Sequence, residues 1–170
     1  MSPSYATRML ASGAILGVIA GFAVGRSWRP LLAVHFRWLP LLIAGLLIRA
    51  GAPFFPAIAF PLYVLALAAT AVGAAANVRL IGAGLVAFGG ALNLAVVLAN
   101  HGMPVDPGAV ATAGAFMPSD ALHVLLTDTT VLSTLADIIP VPLVHAVYSV
   151  GDFCIALGGF LVPFVLLIRR

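Results

Sequence analysis

Five long apolar runs, at about residues 9–25, 38–56, 57–76, 80–99 and 146–168, fill most of the chain, and every fold open to it must shield them from water. A helix needs about 20 apolar residues to cross a hydrocarbon core of roughly 30 Å, a length that the first run only just reaches. With 63% hydrophobic and 8% charged residues and a mean hydropathy of +1.19, the 170-residue chain is far from a soluble domain in composition. Backbone groups in hydrocarbon must be satisfied internally, and runs rich in Leu, Ala and Gly without strict alternation fit helices rather than barrel strands. The expected fold class is therefore an all-α integral membrane protein, a single membrane domain over residues 1–170. It has five transmembrane helices and a long, partly helical extracytoplasmic segment, 100–145, between the fourth and fifth. A large soluble catalytic domain is excluded.

Smaller features refine this plan. Pro53, Pro56 and Pro61 mark the hairpin between runs two and three, because proline breaks the helical hydrogen-bond ladder. Gly13, Gly17, Gly21 and Gly25 repeat at a spacing that lets helix backbones approach closely, chiefly within the chain and alternatively across a dimer face. Cys154 is the only cysteine, which excludes an intramolecular disulfide, a cysteine zinc site and an iron–sulfur cluster.

All eight basic residues are Arg, all five acidic residues are Asp, and the two signs are segregated along the chain. Arg26, Arg29 and Arg37 fall between runs one and two, Arg79 between three and four, and Arg169 and Arg170 after five. Loops that stay cytoplasmic carry the excess of basic residues, so the amino terminus is expected outside and the carboxyl terminus inside. The alternative, a cleaved signal peptide over 1–25 with Arg8 as its charged region, leaves Arg26, Arg29 and Arg37 on the wrong side. No clustered basic face of the kind that binds nucleic acid is present, so no nucleic-acid partner is expected. The expected partners are the bilayer itself and a second membrane protein or a second copy of this chain.

The segment 100–145 contains no basic residue and is too long for an ordinary connection. Its apolar residues argue against disorder. Ser119, and then Asp128 or Thr129, read as N-caps of two short helices at about 119–126 and 129–136, closed by Pro140 and Pro142.

Four ordered stretches carry a resemblance: Asn100-His101-Gly102-Met103-Pro104-Val105, His123 to Thr130, Asp137-Ile138-Ile139-Pro140 and Ser149-Val150-Gly151-Asp152. Together they resemble a family of small bacterial multi-span membrane proteins known as a domain of unknown function. The resemblance implies a protein of the bacterial cytoplasmic membrane and supplies no substrate, cofactor or catalytic residue. In two places the chain departs from the expected pattern: His101 and Ala136 stand where Gly is expected. Both departures read as positions where backbone freedom is dispensable.

Two groups of polar residues are candidates for a site. Outside the membrane, Asn100, Thr127, Asp128 and Asp137 are candidates for contacting a ligand or partner, the last three bracketing the second short helix. Asp128, Asp137 and His123 are the candidate acid or base groups if the protein is an enzyme. His101, His123 and His145 with the aspartates lack the short spacing of a helix-borne metal site, so neither a metal nor a cofactor is expected. Within the membrane, Arg49 lies about 17 Å along the second span, and Asp152 roughly 9 Å into the fifth from outside. With Tyr63 and Asn93 they form a polar layer near the outer ends of four spans, as costly intramembrane charges seek partners. The plainer reading has Arg49 snorkelling to the headgroups and Asp152 capping its helix. The leading functional expectation is an accessory or binding protein recognising a partner or small ligand at the outer face. A small membrane enzyme acting on a lipid-soluble substrate is second, and a transporter component third.

Overall fold

The computed structural model describes residues 5–25, 28–118, 120 and 122–168. Arg26, Arg169, Arg170 and Ser119, used in the sequence reading, lie outside these residues, as does the side chain of Arg8. Each apolar run is helical: α1 Tyr5–Val24, α3 Leu39–Gly51, α4 Ala59–Ala75, α5 Ala83–Asn100 and α7 Val150–Ile168, with a short α2 at Arg29–Ala33. The stretches Pro56–Ala75, Ala83–Asn100 and Val150–Ile168 are long and apolar enough to cross a membrane, while Ala11–Val24 and Leu39–Phe54 are shorter apolar helices.

The five longer helices pack as a row: α3 on α4, α4 on α5, α5 on α7 and α7 on α1. Gly13 faces Ala156, Gly17 faces Phe160 and Gly25 faces Leu167, so α1 and α7 run parallel. A Cβ at Gly13 or Gly17 would collide with the carbonyl oxygen of Ala156 or Phe160. The glycine stripe is therefore covered by α7 within the chain. Without side chains between them the two backbones approach closely, and dispersion contacts replace the hydrophobic drive that lipid does not supply.

At one end of the row, the turn before α3 is fixed by Asn77. Its Nδ2 donates to the carbonyl of Arg37 at 2.7 Å, and its Oδ1 accepts from the Arg37 amide at 2.8 Å. Arg79 donates to the carbonyl of His35 at 2.7 Å beside it. At the opposite end, Pro53 and Pro56 occupy successive 3₁₀ turns, Ala52–Phe54 and Pro56–Ile58, and Pro61 sits in the first turn of α4, where a missing N–H costs little.

The described residues between 100 and 149 form a cap that is not the pair of helices expected. Strand β1 (Met103–Val105) pairs in parallel with β2 (His123–Leu125), and β3 (Ile139–Val141) pairs antiparallel with β4 (Ala146–Tyr148). The stretch expected to form the first helix contributes β2. The stretch 129–136 holds a turn and the 3₁₀ segment Ser133–Leu135. Local chemistry explains the failure: the Thr127 amide donates to Thr130 Oγ1 at 2.9 Å and the Thr130 amide to the Thr127 carbonyl at 3.0 Å, closing a turn that competes with a helix start. Pro140 ends no helix. It lies in β3 opposite Val147, in a two-stranded sheet that offers an edge to proline. The cap's one α-helix, α6 (Pro107–Ala113), was not anticipated; Asp106 caps it by accepting from the amides of Gly108 and Ala109 at 2.9 and 3.2 Å.

The cap has its own apolar core of Val105, Ala109, Val110, Ala113 and Val147. A second cluster, in which Met103 and Leu122 meet Tyr63, Leu67, Val96 and Val97, fastens it to α4 and α5.

The α1–α7 contact is tested by two alanines. Gly17→Ala is expected to cost about 1–3 kcal/mol through overpacking against the Phe160 carbonyl, whereas Gly84→Ala, where an added Cβ meets nothing within 4 Å, is expected to be neutral or to stabilise by up to about 1 kcal/mol. Thermal unfolding in detergent reads both, and gel filtration should show an unchanged oligomeric state.

Candidate functional site

From α3 through α4 and α5 to α7 successive helices run in opposite directions, which brings the last turn of α3, the first turns of α4, the C-terminal half of α5 and the start of α7 beneath the cap. Each contributes a buried polar side chain: Arg49, Tyr63, Asn93 and Asp152 respectively, with Ser149 just before α7. The expected polar layer is thus assembled.

Its centre is a chain of hydrogen bonds. Asn93 Nδ2 donates to Asp152 Oδ1 at 2.8 Å, and Ser149 Oγ donates to Asn93 Oδ1 at 2.9 Å. The Asp152 amide donates to Ser149 Oγ at 3.0 Å, and the Ser149 amide reaches Asp152 Oδ2 at 3.4 Å. This is the reciprocal arrangement of a capping box. Asp152 therefore caps its helix, as the plainer reading expects, and is at the same time bound to Asn93 of α5. Gly151 makes room for the arrangement, because a Cβ there would collide with Asn93 Oδ1. The guanidinium of Arg49 lies 4.4 Å from the centroid of the Tyr63 ring, a cation–π contact that holds the charge inside the row.

Asp137 joins this layer from above. Its amide donates to the Pro104 carbonyl at 2.9 Å and its own carbonyl accepts from the Asp106 amide at 3.0 Å, which locks the residue beside β1. Its side chain is 3% exposed, and Oδ1 is buried with no hydrogen-bond partner among the described residues. Burial, reinforced by the nearby Asp152 carboxylate, pushes the Asp137 carboxyl well above the ordinary range, and Arg49 only partly opposes the shift. Tyr63 is within electrostatic reach of Arg49, Asp152 and Asp137 alike.

The other expected site residues are elsewhere. Thr127 and Asp128 sit in an exposed turn whereas Asp137 is buried, and the stretch between them holds a 3₁₀ segment, so the trio does not bracket a helix start. Asn100 is spent on architecture: Nδ2 donates to the carbonyls of Val96 and Val131, each at 2.9 Å, and Oδ1 accepts from the Val131 amide at 2.9 Å. His123 Nδ1 is 2.7 Å from Asp120 Oδ1. Burial alone would raise the Asp120 carboxyl, but the His123 contact and local amides hold it below its usual value. His101 and His145 both take left-handed backbone, at φ 55° and 48°. His101 closes the C-terminus of α5 there and rests its ring 5.7 Å from that of Phe60. Position 101 thus uses the conformation that glycine adopts freely, and the expectation that backbone freedom is dispensable fails at this point. It holds at Ala136, whose φ of −71° is ordinary. Among the described residues no three His, Cys, Asp or Glu side chains are grouped as metal ligands.

The family of unknown function DUF5317 matches residues 32–164 of the chain. The chain belongs to this family. The match takes in every residue of the polar layer and the whole cap. No curated protein and no solved structure matches the chain.

The layer's energetics can be tested by substitution. Arg49→Leu leaves the carboxylates without their cation and is expected to cost about 3–5 kcal/mol in detergent unfolding, and adding Asp137→Asn should restore part of that loss. Strictly additive losses would show that Arg49 and Asp137 do not interact.

Proposed function

We propose that the protein is a five-span protein of the bacterial cytoplasmic membrane, with its amino terminus outside and its carboxyl terminus inside, which binds a small ligand or a partner at its outer face. The ligand-binding reading rests on Asp137: a carboxylate contributed by the cap, buried and lacking a partner at Oδ1, is set over a layer built by four helices. A buried polar atom without a partner is costly, and a structural cap would be better served by an apolar residue there. The topology is supported by the parallel course of α1 and α7 and by the position of Arg37 and Arg79 at the end opposite the cap. The side chains that face outward from the row, among them Ile15, Leu47, Leu65, Phe88 and Leu157, suit contact with lipid.

Topology is tested in a Cys154→Ala background. Thr129→Cys should react with an impermeant maleimide on intact cells and Val78→Cys only after permeabilisation. The reverse pattern inverts the orientation, and labelling of both refutes the number of spans.

For the binding role, native mass spectrometry of the purified protein should find a co-purifying small molecule or protein. Asp137→Asn should diminish its capture at least tenfold, and Asp128→Asn should leave it intact. Equal capture by all three proteins would overturn the assignment of the site.

A further inference from the structure

The reading above leaves the ligand unnamed, and the charges of the layer narrow it. Two carboxylates, Asp137 from the cap and Asp152 from α7, are 3% and 2% exposed. The one described cation acting on both is Arg49 from α3. The remaining described groups facing them are neutral: Tyr63 from α4, Asn93 from α5 and Ser149 ahead of α7. With both carboxylates ionised the described layer carries one uncompensated negative charge out of water, an arrangement whose cost is several kcal/mol in proteins generally. The two carboxylates are also not equivalent. Asp152 accepts from Asn93 and from the Ser149 amide, whereas Asp137 Oδ1 accepts from nothing among the described residues.

We infer that this layer binds one monovalent cation from the outer side, with Asp137 Oδ1 as the receiving atom and Asp152 held ready beside it by Asn93 and Ser149. The inference deepens the proposed ligand-binding role by naming the chemistry of the ligand. A single positive charge closes the balance; a divalent ion would exceed it, and no cluster of three ligating side chains is present among the described residues to hold one. Two sources supply such a charge. A proton from the outer water forms an O–H bond at Oδ1 and turns the carboxylate into a neutral acid, leaving hydroxide or water behind. A sodium ion would instead take the proton's place at Oδ1. Burial and the neighbouring Asp152 carboxylate favour the proton at Asp137. Release would restore the net negative charge beneath the cap.

The experiment uses the full chain in lipid nanodiscs, with ¹³C-aspartate to separate side-chain bands from lipid carbonyls. Infrared spectra are recorded against pH in choline chloride and again with added sodium chloride, for the wild type and for Asp137→Asn. For a proton, the wild type shows a protonated-carboxyl band at neutral pH that Asp137→Asn lacks and that disappears only on alkalinisation. For sodium, that band is absent, and radiolabelled sodium binds at one per chain to the wild type and at least tenfold less to Asp137→Asn. Five ionised aspartates at neutral pH with no sodium binding would overturn the inference, as would an acid band that survives Asp137→Asn. Should Asp137→Asn fail to fold, Asp137→Glu, which keeps the carboxylate, takes its place: the ¹³C-aspartate acid band should be absent from it, and a band that persists would overturn the inference. The outcome is independent of the cysteine-labelling pattern and of any captured organic ligand or protein, so the inference and the broader reading fail separately.

Discussion

A guanidinium and two carboxylates withdrawn from water at one end of the helix row set the terms for the parts around them. Charges in such surroundings are tolerated only where geometry supplies partners. Tyr63 offers Arg49 its ring face, Asn93 spans from Ser149 to Asp152, and the capping box turns a helix start into a rigid mount for a carboxylate. Even the absence of a side chain at Gly151 is part of the arrangement, since Asn93 occupies the space that a Cβ would take.

The cap answers the same constraint from the other side. A loop that merely joined α5 to α7 would leave the layer open to water. Instead β1 is bordered by β2 and, through its backbone bonds to Asp137, by the stretch leading into β3. Asn100 ties the exposed turn to the end of α5, and Met103 and Leu122 anchor the cap in the apolar cluster of α4 and α5. Asp137 is carried inward by this backbone pairing, so the precision of the site depends on main-chain hydrogen bonds rather than on contacts of the carboxylate itself. The row below is equally economical: glycines on α1 let it lie against α7 so closely that the parallel pair has no room for larger side chains.

Much of this was legible in the residues. The apolar runs located every long helix to within a few residues, because in a chain of this composition hydrophobic length is the dominant signal. Arg49, Tyr63, Asn93 and Asp152 were placed in one layer by rise per residue alone, since straight helices make depth a linear function of sequence position. The Asp106-Pro107 pair was a helix-start signal that went unused. The cap misled for a definite reason. Its segments are short and its strands are three residues each, so no periodicity is long enough to distinguish a strand from a helical turn. Threonine and aspartate then supplied cap-like patterns that the chain spends on turns.

The sequence by itself determined the five longer helices to within a few residues, the polar residues they carry and the segregation of charge between the two ends, all of which follow from local composition and a fixed helical rise. Only the tertiary structure decided that the glycine stripe of α1 faces α7, that Asn100 serves the turn at Val131, and that Asp137 leaves the company of Thr127 and Asp128 to enter the layer. Each of these depends on which distant backbone a segment pairs with or approaches. Main-chain hydrogen bonds are open to almost any residue, so their choice of partner is written in the fold as a whole and not in the residues that make them.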